Sequence, residues 1–166
     1  MKLKMTSIAL ILVGALVMGT AKADSSNDSF QVLATVVASC TVTSNDLNFG
    51  TYEVSGIHAS SNLNATGSLD VNCTQNIAYD IGMDNGLYYG AGGRQMESLT
   101  GTDKLSYQIY RDSSRSSQWG AVIGSNTESD IGTGIIQSHT LYGTIPGGQS
   151  AAVDDYSDTI VVSVTF

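Results

Sequence analysis

Basic residues are scarce: seven Lys and Arg stand against 15 Asp and Glu in 166 residues, a formal charge of -8 at pH 7. No positive face is available to neutralise a phosphate backbone, so nucleic-acid binding is excluded as a function class. A single proline and 7% aromatic residues exclude proline-rich and collagen-like fibres. Only two cysteines occur, without a CxxC pair, and the two histidines, His58 and His139, lie among Ser, Gly and Thr without ligand spacing. Neither a metal site nor a nucleophilic thiol is indicated, and no cofactor is expected. Serine and histidine are absent from any nucleophile-elbow context, and the glycines around Gly90 do not form a phosphate loop after a strand, so no enzyme is expected. No apolar run approaches the ~20 residues of a membrane-spanning helix. What remains, 42% hydrophobic and 13% charged, is the composition of one globular domain.

The N-terminus reads as an export signal. Lys2 and Lys4 precede an apolar run from Ile8 to Met18, and Ala21-Lys22-Ala23 places small residues where a signal peptidase cuts, after Ala23. Removal of residues 1–23 leaves four basic side chains, Arg94, Lys104, Arg111 and Arg115, against all the acidic ones. Export also places Cys40 and Cys73 in an oxidising compartment where only one intramolecular pairing exists, so a Cys40–Cys73 disulfide is expected.

Two-residue alternation dominates the rest and helical periodicity is almost absent. Phe30, Val32, Ala34, Val36 and Ala38 share one parity of a strand-like run. Further strands are predicted at Leu69–Thr74, Ile77–Met83, Leu105–Tyr110, Thr140–Ile145 and Thr159–Phe166, with a short one at Trp119–Ile123. Asn85-Gly86 suits a tight hairpin turn, Pro146-Gly147-Gly148 another, and Tyr89–Asp103 has no pattern and reads as a surface loop. Several short strands separated by Gly, Asn and Ser predict an all-β antiparallel sandwich or barrel in one domain. Asp154, Asp155 and Asp158 are the one carboxylate group that offers oxygen ligands for a cation, although their spacing is not that of an EF-hand.

The two ends carry the informative features. Phe166, the last residue, still lies in the most β-branched run of the sequence, and the Phe30–Ala38 run follows a polar, flexible stretch, Asp24–Ser29. The first run is able to fold into its own sheet or to reach another molecule.

The order of motifs resembles the spore coat protein U family, which includes subunits of archaic chaperone-usher pili. The resemblance is carried by Cys40-Thr41-Val42 with Phe49-Gly50-Thr51-Tyr52, then Gly67–Thr74, Tyr79 with Ile81, and Arg94 with Met96. It continues through Leu105–Asp112, Trp119-Gly120, Tyr142–Pro146, Gln149 and Tyr156–Thr159. Asp154-Asp155 stands where such proteins often place a glycine. The resemblance implies an incomplete immunoglobulin-like sandwich over residues 39–166, completed by a donor strand from a neighbouring subunit, with residues 24–38 as the donor segment. It implies Phe30, Val32, Ala34 and Val36 as the donated side chains. Ile160, Val162, Val164 and Phe166 then line the acceptor groove. The implied partners are neighbouring copies or related subunits, a periplasmic chaperone and an outer-membrane usher. The implied product is a surface fibre that supports adhesion and biofilm formation. The alternative is a self-contained secreted coat or matrix protein, in which both end segments pair within one copy.

Overall fold

The computed structural model describes residue 19 and residues 21–166. The export signal assigned to residues 1–23 therefore lies mostly outside the described residues. The chain divides into two units, residues 1–35 and 36–166. In the first, the described residues form no regular element and all are exposed.

The second unit is all-β apart from one short 3₁₀ turn, Ile57–Ala59. In chain order its strands are β1 (Cys40–Ser44), β2 (Leu63–Cys73), β3 (Ala78–Met83), β4 (Gln95–Ser98) and β5 (Lys104–Ser106). These are followed by β6 (Gln108–Tyr110), β7 (Glu128–Ile131), β8 (Gln137–Ile145), β9 (Tyr156–Ser157) and β10 (Val162–Thr165). One sheet has the order β1-β2-β8-β6, a second β10-β3-β7, and a small third β5-β4-β9. Every pairing is antiparallel.

The sheets form because alternate residues are apolar. On β2 the inward parity, Leu69, Val71 and Cys73, is fully buried, while Asn72 is exposed. On β3 the inward parity is Tyr79, Ile81 and Met83. These two sets, with Ile109 of β6 and Leu141 and Ile145 of β8, merge into one core between the first two sheets. Trp119 fills its centre, and its indole Nε1 donates to the carbonyl of Ile81 at 2.8 Å. That bond satisfies the ring's polar atom inside an apolar environment.

Several expectations are corrected. Phe30–Ala38 forms no strand: an extended segment with no ladder partner gains nothing to offset the entropy of ordering. The first strand is instead β1. Leu105–Tyr110 is not one strand but two, β5 and β6, belonging to different sheets and broken at Tyr107. Trp119–Ile123 is not a strand, because Trp119 turns inward and Gly120 exchanges backbone hydrogen bonds with Met83 and Asn126 instead of joining a ladder. Tyr89–Asp103 is not wholly a loop, since it contains β4. Gly86 does adopt the positive φ of +82°, yet it makes no two-residue hairpin: the partners of β3 are β10 and β7. Strand β7, whose polar residues mask any alternation, was not foreseen.

Candidate functional site

Two strand edges define the site. Among the described residues β1 is hydrogen-bonded only to β2, and β10 only to β3, so each stands at the end of its sheet. The two strands approach each other without sharing a ladder. β1 begins opposite the end of β2, and β10 ends near the start of β3. An unpaired edge presents a row of main-chain donors and acceptors.

A cleft of about 1080 Å³ meets these strands at Ser44 and Val162 and is lined by residues 44–52 and 54–55 after the start of β1 and by 151–158, 160 and 162 leading into β10. Its floor is core: Leu69, Met83, Leu105, Tyr107, Ile109 and Ile145. The first wall is pressed onto β8 because Gly143 has no side chain: a Cβ there would lie 2.7 Å from both Leu47 and the Phe49 ring. The same wall is pinned further along by Tyr52, whose hydroxyl donates to the Pro146 carbonyl at 2.9 Å and accepts from the Gln149 amide at 3.1 Å. Tyr52 also stacks on His58, which is buried and whose Nδ1 accepts the Glu53 N–H.

The second wall leads into β10 and is held by carboxylates. Asp158 accepts from the Leu87 amide at 2.9 Å and from the Tyr107 hydroxyl at 2.7 Å. Burial, and then Asp158, raises the Tyr107 phenol well above its ordinary range, so it stays a donor. Asp84 accepts from the Gly86 and Val161 amides at 3.0 Å each. Beneath them the buried Arg94 guanidinium donates to the carbonyls of Met83 and Asp84. Burial lowers its pKa, opposed by Tyr107, Asp84 and Asp158. Asp154 accepts from the Ser98 hydroxyl and from the amide and hydroxyl of Thr100, and these bonds, Ser98 first, hold its carboxyl well below the usual range.

The residues singled out from the sequence fall as follows. Ile160 and Val162 line the cleft; Val164 is half-buried against the core; Phe166 is 56% exposed and does not line it. Phe30, Val32 and Val36 are 85–88% exposed, and Ala34 is exposed as well. Cys40 and Cys73 are disulfide-bonded and directly opposed in register, which fastens the start of β1 to the end of β2. Asp154 and Asp158 spend their oxygens on loop amides and hydroxyls. Among the described residues no three His, Cys, Asp or Glu side chains come together as a metal-ion cluster. Sequence reasoning missed the floor residues Met83 and Tyr107 and the anchor Asp84, and it singled out Asp158 only as a cation ligand. The inward parity of β3 was the available signal for Met83, and none marked the anchoring role of Asp84 and Asp158.

Comparison with known proteins agrees with this geometry. Protein U of Myxococcus xanthus is 32% identical over 175 aligned residues, covering 97% of both chains. A solved structure, the CsuC-CsuE chaperone-tip adhesion subunit pre-assembly complex from archaic chaperone-usher Csu pili of Acinetobacter baumannii, superposes with a TM-score of 0.61 at 26% identity. The match covers 80% of this chain and 41% of the solved chain, so this chain spans less than half of that protein's length. The fold is thus all-β and immunoglobulin-like. Residues 26–163 match the Spore Coat Protein U domain, and the chain belongs to that family.

Proposed function

We propose that this protein is a structural subunit of a chaperone-usher pilus, assembled by donor-strand exchange and displayed on the cell surface, where the fibre supports adhesion and biofilm formation. The carrying observation is the pair of unpartnered strand edges, β1 and β10, beside a cleft floored by the hydrophobic core. An extended strand between them would satisfy both edges and cover the floor, the geometry of β-strand addition.

The donor is the exposed segment carrying Phe30, Val32, Ala34 and Val36, whose two-residue spacing sends alternate side chains toward one face. Its acceptor includes Ile160, Val162 and Val164, with Phe166 at the far end. Burying Phe30, Val32 and Val36 at roughly 1.5–3 kcal/mol each gains on the order of 5–9 kcal/mol before ordering costs. Before assembly the cleft is occupied by a periplasmic chaperone, and the exchange takes place at an outer-membrane usher. A strand donated head to tail does not close on itself and so generates a filament.

The test is Val32→Asp and Phe30→Asp in the full chain, co-expressed with chaperone and usher. Each variant is expected to bind chaperone and to form no fibre, because a carboxylate would be buried unpaired. Normal fibres from both variants would overturn the donor assignment. A self-contained coat protein would instead be a soluble monomer without any co-expressed chaperone.

A further inference from the structure

A second contact between adjacent copies is written into the chain between the donor segment and the domain. Ser39 is fixed to β2's end: its amide donates to Thr74 Oγ1 at 3.0 Å, and its carbonyl accepts the Thr74 amide at 2.9 Å. Only Val37 and Ala38 lie between that anchored residue and Val36. Three residues span at most roughly 10 Å fully extended. Any molecule that holds Val36 must therefore sit within about that distance of the Ser39–Thr74 junction.

An apolar knob stands beside this junction. The loop after β7 is bonded to it, with the Gly134 amide donating to the Cys73 carbonyl at 3.0 Å and the Asn76 amide to the Gly132 carbonyl at 2.8 Å. Ser39, Cys73, Thr74 and Gly134 line one shallow depression. Ile131, the last residue of β7, and Ile135 and Ile136 in this loop are 57–69% exposed. Isoleucines left in water gain free energy when they are covered.

We propose that Ile131, Ile135 and Ile136 form a docking knob for a second copy of this chain, the one whose cleft holds residues 30–36. This inference rests on the donor-strand reading and adds an interface that the reading does not require. The short Val37-Ala38 link keeps any copy that holds Val36 close to this loop, and covering its exposed isoleucines favours a contact there. The joint is then a strand plus a seated knob, which restricts swivelling about the link.

Hydroxyl-radical footprinting of the full chain, as chaperone-bound subunit and as assembled fibre, tests this. Oxidation at Phe30 and Val36 and at Ile135 and Ile136 is expected to fall severalfold in the fibre. Ile135→Asp/Ile136→Asp fibres are expected to form, keep the donor segment protected, and dissociate severalfold faster on heating in detergent. Protection of Phe30 and Val36 with unchanged oxidation at Ile135 and Ile136 would overturn the knob and leave the donor reading standing. Equal dissociation rates of variant and parent fibres would also overturn it. Fibres in which Phe30 and Val36 stay fully oxidisable would overturn the donor reading, and the knob with it.

Discussion

Residues 30–38 and strand β2 have the same kind of sequence and opposite surroundings. Both alternate apolar and polar side chains, yet Leu69, Val71 and Cys73 are at most 1% exposed while Phe30, Val32 and Val36 are 85–88% exposed. β2 is hydrogen-bonded on one edge to β1 and on the other to β8; residues 30–38 form no strand. β10 falls between them, with one edge bonded and its inward residues half-buried. The series teaches that alternation declares the capacity to be a strand, and the number of partnered edges decides whether that capacity is used.

The comparison is broken most directly by placing the same charge in both regions. Leu69→Asp buries a carboxylate with no partner and is expected to cost more than about 4 kcal/mol, enough to unfold most of the domain. Phe30→Asp is expected to change the unfolding free energy of the chaperone-free chain by less than about 0.5 kcal/mol. Chemical denaturation followed by Trp119 fluorescence measures both. Similar losses would show that residues 30–38 are packed in the isolated chain.

Next in size is the clasp that holds β1 against β2. Replacing Cys40 and Cys73 by Ser opens a loop of 33 residues. The expected loss is about 3–4 kcal/mol in the same denaturation experiment.

A smaller effect sharpens the contrast between β2 and β10. Tyr107→Phe removes the hydroxyl bonded to Asp158 and is expected to cost about 1.5–3 kcal/mol, the range for a hydrogen bond to a charged group. Amide hydrogen exchange should accelerate in β10 more than in β2, because the lost bond anchors the wall that leads into β10. Uniform acceleration would mean that the wall does not act on β10 separately.

The smallest effect is on pH. The folded Asp154 carboxyl titrates below its unfolded value, so its contribution to stability is present above about pH 4 and is lost as pH falls through the folded value. Asp154→Asn should flatten the acid limb of the stability curve. The Tyr107 phenol shifts the other way, so its contribution is present below about pH 10 and fades as pH rises beyond it. Tyr107→Phe should flatten that alkaline limb.

How much was legible depended on whether the signal was local. The alternation of Leu69–Cys73 and of Ala78–Met83 marked real strands because both edges of those segments are hydrogen-bonded to neighbouring strands. Leu105–Tyr110 misled because a run of alternating residues carries no mark of where it changes sheets, and that change happens at Tyr107. Glu128–Ile131 was invisible because it is recruited by β3 despite its polar side chains. The cleft was half legible: Ile160 and Val162 follow from parity, whereas its walls depend on Asp84, Asp158, Tyr52 and Gly143, each acting across large sequence separations.

The sequence alone determined that this is an acidic, nearly helix-free β domain, with one possible disulfide and an apolar alternating segment ahead of it, because composition and two-residue periodicity are properties of adjacent residues. Only the tertiary structure decided which alternating segments obtain partners and that β1 and β10 come to stand at sheet edges near each other. Hydrogen-bond ladders join residues far apart in the chain, and the bonded or vacant condition of an edge exists only once its potential neighbours have taken their places.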